Sequence, residues 1–309
     1  MKKEILYEFK ALYRGDFRIT GYTFGEGEKS ICILGNTRVN EYQQIYCCSQ
    51  LIHRLKELEA DGQLVPGHQI LVIPSGNPYG LNTKIRFWGT DHTDINRMFP
   101  GYDKGETTQR IASGIFEAVK DYQVGVQFSS FYMKGSFMPH VRIIRTGYED
   151  AEMAKNFGLP YVVLRNPRPF DTTTLNYNWQ IWETDAYSIY TTHTENIDKT
   201  SAAQAVDAIL RFMKTKGIVK GEFGEGCDSK IVDDNKLLTV RMDTAGILDI
   251  QAHVGDHVFK DQILAYLVDP YEGDILKEVK APCDGTILFA RDEPMVYSSM
   301  ALFKIVKRE

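Results

Sequence analysis

The chain has 309 residues, 43% of them hydrophobic and 25% charged, with a net charge of -5 at neutral pH. That length exceeds one average domain and the composition is that of a globular protein with a large core, so a catalytic-size domain with a smaller companion is expected. The acidic balance removes the usual reason to propose nucleic acid or an anionic membrane as partner, and no run of eighteen apolar residues suits a membrane span.

The first ten residues, Met1 to Lys10, hold no uninterrupted apolar stretch, which makes a cytoplasmic protein the expectation. Residues 17 to 34 alternate in a strand-like way, Gly25-Glu26-Gly27 separating Phe17–Phe24 from the apolar Ser30–Leu34. After the loop Asn36 to Asn40, a helical pattern from Glu41 to about Ala60 places Ile45, Leu51, Ile52, Leu55 and Leu58 on one side. Five cysteines form no Cys-x-x-Cys pair, which argues against a disulfide framework or a zinc knuckle, and Cys47 and Cys48 on this helix read as buried packing.

His68 to Pro74 reads as a strand buried on both faces. Thr107 or Thr108 can cap a helix running to about Tyr122, and Val124–Phe128 and Tyr161–Leu164 are further buried strands. Pro167 to Thr174 reads as an irregular insertion carrying Trp179 and Trp182, and Asp198 as the N-cap of a helix from Ser201 to Lys216. Strands alternating with helices imply an α/β fold, a mixed sheet flanked by helices. Gly221 to Asn235 makes a linker, and from Leu237 short strands punctuated by glycine indicate a small all-β domain. The expected division is 1–230 and 231–309.

Between the second buried strand and its helix lies Arg86-Phe-Trp-Gly-Thr-Asp-His-Thr-Asp-Ile-Asn-Arg-Met-Phe-Pro-Gly101. Two guanidinium groups, Arg86 and Arg97, and the amide of Asn96 in one loop suit the capture of a carboxylate and the polarisation of a neighbouring carbonyl. The bland alternative is a solvated loop in which Arg97 pairs with Asp94.

This loop resembles the Arg…Asp-Gly-x-Asp-Leu-Asn-Arg-x-Phe-Pro-Gly signature of the succinylglutamate desuccinylase/aspartoacylase family, zinc-dependent deacylases with a carboxypeptidase-like fold. The likeness runs from about Ile31 to the C-terminus. It implies that Arg86 polarises the scissile carbonyl and that Asn96 and Arg97 hold the substrate carboxylate, with His92 standing where the family has glycine. The last domain is similar to the β-barrel appended to such deacylases and to biotinyl and lipoyl domains. Its hairpin, Asp269-Pro-Tyr-Glu-Gly-Asp274, has no Met-Lys-Met apex, so no lysine-linked prosthetic group is expected. A structural or oligomerisation module is the preferred reading, which leaves a homo-oligomer open.

The resemblance also locates the family's zinc ligands and general base, and here this sequence departs from the pattern. The His-Gly-x-Glu stretch corresponds to Arg38-Val-Asn-Glu41, the third ligand to Ser129, and the base to Thr191. An arginine offers a metal no lone pair, so a standard zinc site is not expected. The guanidinium of Arg38 could instead pair with Glu41 and supply the missing positive charge. The alternative is a displaced zinc site drawn from His92, His140 and His193 with Glu41. Three readings follow: a divergent or inactive deacylase-family member that binds a small carboxylate-bearing molecule without a cofactor, an active amide or ester hydrolase with a rebuilt zinc site or no metal, and a structural or interaction protein.

Overall fold

Strands with one polar and one apolar face begin the computed structural model, which describes residues 1–10, 15–82, 87–89, 91–131 and 133–308. The chain divides into two compact units, Met1–Ser130 with Pro139–Ile231, and Phe131–Met138 with Val232–Glu309. The second unit therefore includes an eight-residue stretch that sequence reading left in the first domain.

The first unit contains, in chain order, β1 (Lys2–Phe9), β2 (Phe17–Phe24), β3 (Gly27–Asn36), α1 (Tyr42–Ala60), β4 (Gly67–Ser75), α2 (Thr107–Val119) and β5 (Val124–Ser129). After β6 (Ser136–Phe137), which belongs to the second unit, come β7 (His140–Ile144), α3 (Ala151–Ala154), β8 (Tyr161–Arg165), α4 (Leu175–Ile181), β9 (Asp185–Tyr190), α5 (Lys199–Thr215) and β10 (Lys230–Asp233). Nine strands make one mixed sheet in the order β1-β2-β4-β3-β5-β9-β7-β8-β10. Strands β4, β3, β5 and β9 run parallel, as βα alternation dictates, and β7 lies between β9 and β8, antiparallel to β9 and parallel to β8. β1 and β2 form the antiparallel flank. The charged residues of β1, Lys2, Lys3, Glu4 and Glu8, hide it from a search for apolar runs, as befits an edge strand with none of its residues fully buried.

One face of the sheet is apolar along its length: Ile31, Ile33, Val126, Phe128, Val141, Ile143, Val162 and Ile189 pack with α1 and α5. The first turn of α1 departs from the predicted stripe, since Gln43 and Gln44 are buried and Ile45 is only half-buried. Gln43 grips the start of α5, its Nε2 donating to the Asp198 carbonyl and its Oε1 accepting from the Asp198 amide, both at 2.9 Å. Asp198 caps α5 as its residue type predicts, accepting from the Thr200 amide. Cys47 and Cys48 are buried, and burial pushes the Cys47 thiol up to about 12.

The opposite face begins the same way, with Cys32, Leu34, Leu71, Ile73 and Ala186 packed under α2 and Trp179 of α4. Three elements here differ from the sequence reading. The N-cap of α2 is Glu106, one residue before the predicted threonines, and its amide donates to the Gln109 side chain. The segment after Thr174 is not irregular but the short helix α4, capped by the Thr174 hydroxyl. Part of the expected linker, Lys230–Asp233, is the last strand of the sheet.

The second unit is built of two antiparallel sheets. The five-stranded one joins β11 (Leu238–Arg241), β18 (Ala301–Lys307), β16 (Gly285–Ala290) and β13 (His257–Val258), with β6 added to β16. The four-stranded one orders β15 (Ile275–Lys280), β14 (Ile263–Val268), β12 (Gly246–Ile250) and β17 (Met295–Val296). Leu264, Leu267, Ile287, Leu302, Phe303 and Ile305 fill the space between them. The apex between β14 and β15 is a turn in which Asp269 Oδ1 accepts from the amides of Tyr271 and Glu272.

Trp179 sits on the backbone of β5, where a side chain at Gly125 would bring its Cβ within 2.6 Å of the indole. Gly125→Ala is expected to destabilise the protein by about 1–3 kcal/mol through overpacking, read as a lower urea midpoint at unchanged slope.

Candidate functional site

The second sheet face turns polar beyond Ala186. Gln127, Ser188 and Arg142 are register partners across β5, β9 and β7, and Ser129, Tyr190 and His140 form the next row. Partners in register share a face, so these six side chains line one surface. Asn176 of α4 reaches down to it, its Nδ2 donating to Ser188 Oγ at 2.8 Å and to Gln127 Oε1 at 3.5 Å. A largely buried polar surface of this size is the reverse of what core packing would select.

Glu41 and Arg38 lie at the end of β3, where the chain turns into α1. Glu41 Oε2 accepts from the amides of Thr37 and Arg38 at 2.8 and 2.9 Å, and Oε1 from Arg38 Nη1 at 3.2 Å and Ser130 Oγ at 2.5 Å. The carboxylate is 2% exposed and the guanidinium 6%. Arg38 Nε also donates to Asp94 Oδ2 at 2.8 Å, so one cation is shared by two buried carboxylates. The pairing of Asp94 is therefore with Arg38, fifty-six residues away, and not with its neighbour Arg97.

These residues do not suit zinc. Both oxygens of Glu41 already accept two donors each, which uses the four lone-pair sites of a carboxylate, and Arg38 has none to offer. The side chain that closes on Glu41 is Ser130, one residue beyond the position expected for the third ligand, while the Ser129 carbonyl accepts from Gln44 Nε2. Thr191 is buried and its hydroxyl donates to the His193 carbonyl. His140 is fully buried with its ring stacked parallel on Tyr190 at 5.0 Å. Among the described residues no three or more His, Cys, Asp or Glu side chains gather as metal ligands, so His92, His140, His193 and Glu41 are not brought together as a displaced site.

The loop from Asp94 to Phe99 is held from both ends. Asp94 Oδ1 accepts from the Asn96 amide at 3.0 Å, closing the single turn Ile95–Arg97, and Asn96 Oδ1 accepts from the amide of Leu175, the first residue of α4, at 3.4 Å. Arg97 Nη1 donates to the Phe170 carbonyl at 2.6 Å, its guanidinium lies 4.9 Å over the Phe170 ring, and it stands 3.6 Å from Asp171. Phe99 is tied in by its amide to Thr173 and by its carbonyl to Asn178. The Pro167–Thr174 stretch is thus the seat of the loop, a role its sequence did not announce. Arg86 lies outside the described residues.

Arg165, at the end of β8, bonds the other oxygen of Asp171 at 2.8 Å. Burial lowers its guanidinium from the ordinary range; Asp171 opposes this, while the charges of Arg142 and Arg168 push it down further. The arginines on this face therefore repel one another, and Asp171 offsets part of that repulsion.

His92, at the glycine position of the signature, keeps a glycine-like backbone with φ +52. The neighbouring Asp91 accepts from the amide and hydroxyl of Thr108, fastening the loop to the first turn of α2.

Two outcomes follow from this geometry. Arg38→Met leaves Glu41 and Asp94 buried without their shared cation and should cost about 3–5 kcal/mol of stability in urea denaturation. His92→Gly removes a left-handed side-chain penalty and should raise stability by about 0.5–1 kcal/mol in the same measurement.

Residues 28–213 match the model of the succinylglutamate desuccinylase/aspartoacylase catalytic domain. The chain is 23% identical over 301 residues to the N-alpha-acetyl-L-2,4-diaminobutyric acid deacetylase of Halomonas elongata, covering 87% of this chain and 79% of that protein. Its fold matches a succinylglutamate desuccinylase/aspartoacylase from Rhodobacter sphaeroides with a TM-score of 0.77 at 18% identity, over 96% of this chain and 90% of the other. The product-bound ectoine utilization protein EutE (DoeB) of Ruegeria pomeroyi matches at 0.76, with 18% identity over 95% and 90%. Because the family model matches more than half of its length, this chain belongs to the succinylglutamate desuccinylase/aspartoacylase family.

Proposed function

We propose that this family member binds a small carboxylate-bearing molecule of the N-acyl amino acid class through Asn96 and Arg97, and that it does so without conventional zinc hydrolysis. Arg86 is assigned to the neighbouring carbonyl by its place in the signature. The observation that carries the reading is the pairing of Arg38 with Glu41, a resident cation at the position where the family has a metal ligand. Arg97 is preorganised, since the Phe170 carbonyl and ring hold its fork in one orientation, and a fixed fork loses less freedom when it captures a carboxylate. The H. elongata relative is named for an N-acetylated amino acid, which supports that ligand class.

The hydrolase alternative would need a free base. Ser130 donates to Glu41 in the geometry of a nucleophile on a carboxylate, but Glu41 already accepts from three further donors and is not a free base.

The test is calorimetric titration of EDTA-dialysed protein with N-acetyl-L-2,4-diaminobutyrate, N-acetyl-L-glutamate and succinate, with elemental analysis beside it. Binding should persist with well under one zinc per chain. Because charge-assisted hydrogen bonds contribute about 1.5–3 kcal/mol, Arg97→Ala should weaken binding roughly ten- to a hundredfold, and Arg97→Lys should recover only part of the loss. Stoichiometric zinc that survives dialysis, or chelator-sensitive hydrolysis of these compounds, would overturn the proposal.

A further inference from the structure

Asp94 connects two parts of the site. One of its oxygens takes Arg38 Nε at 2.8 Å; the other takes the Asn96 amide at 3.0 Å and so shapes the turn that presents Asn96 and Arg97. Arg38 is itself fixed from behind, through Nη1 to Glu41, and Glu41 is fixed by the amides of Thr37 and Arg38 and by Ser130. A continuous line of charge-assisted bonds therefore runs from the end of β5, through the start of α1, to the recognition loop. Each bond in it is within 3.2 Å, and Arg38, Glu41 and Asp94 are all buried. In so dry a setting such bonds are strong and direction-sensitive, and a single guanidinium with two separate donor edges is what lets two carboxylates be held at once.

We infer that Arg38 is a positioning residue for the carboxylate clamp: acting through Asp94, it sets the backbone of Asn96 and Arg97 and thereby the affinity for the ligand. This rests on the carboxylate-binding reading of Asn96 and Arg97. It gives Arg38 the mechanical part of a metal centre's work, holding a carboxylate and the recognition loop in register, with a charge that cannot be removed by chelation or by pH. A lysine cannot replace it, because one ammonium lacks the divergent Nε and Nη1 edges that reach Asp94 and Glu41 separately.

The test uses the full chain and N-acetyl-L-2,4-diaminobutyrate in calorimetric titration, with Arg38→Lys, Asp94→Asn, the double variant, and Arg38→Lys in an Arg97→Ala background. Misplacing the clamp through either partner should raise Kd about tenfold, and the double variant should be no worse than the weaker single one, since both cut the same tie. In the Arg97→Ala background, Arg38→Lys should change Kd by less than about twofold, whereas its effect on stability should persist. Amide exchange at Asn96 and Arg97, which needs no ligand, should quicken in both single variants. Wild-type Kd in Arg38→Lys, multiplying effects in the double variant, or unchanged exchange at Asn96 and Arg97 would each overturn the inference while leaving the carboxylate reading standing. Absence of binding by the wild type would bring down both.

Discussion

One guanidinium shared between two buried carboxylates organises this site. Arg38 and Glu41 share the loop from β3 to α1, while Asp94 comes from a loop after β4. Taking three charges out of water carries a large desolvation cost, and an apolar trio of equal volume would often do as well for stability alone. What the ionic arrangement adds is direction. A guanidinium presents its donors in a rigid plane, so the loop carrying Asn96 and Arg97 can close on it in only one register. The same guanidinium, with the Thr37 and Arg38 amides and Ser130, fills the four lone-pair sites of Glu41.

The rest of the first unit serves the same end. The apolar face of the sheet is continuous and gives rigidity, whereas the other face changes from apolar to polar between Ala186 and Ser188, midway along β9. That change confines the polar surface to the half of the sheet formed by β5, β9, β7 and β8. The turn before α4 then roofs the recognition loop, receiving Asn96 at the Leu175 amide and Arg97 at the Phe170 carbonyl. Asp171, buried between Arg97 and Arg165, joins this roof to the end of β8.

Much of the architecture was legible in the residues. Uninterrupted apolar runs such as Ile31–Leu34, Ile70–Ile73 and Val124–Val126 can be buried only in a covered sheet, and the Asp198 cap marks the start of α5. Strands β7 and β9 escaped notice because half of their residues face the polar surface, and His140, Arg142 and Ser188 interrupt any apolar pattern. Helix α4 was hidden by the Thr-rich stretch before it, where Thr174 is a helix cap rather than part of an irregular insertion.

The sequence by itself determined the family, because the loop signature that carries the resemblance depends only on residue type at a short spacing. Tertiary structure decided who holds whom: Asp94 goes to Arg38 rather than Arg97, Ser130 rather than Ser129 closes on Glu41, and Arg97 is fixed by Phe170 and Asp171. Those choices join side chains fifty-six, eighty-nine and seventy-three residues apart, distances over which residue pattern carries no signal and only the packing of the sheet brings the partners together.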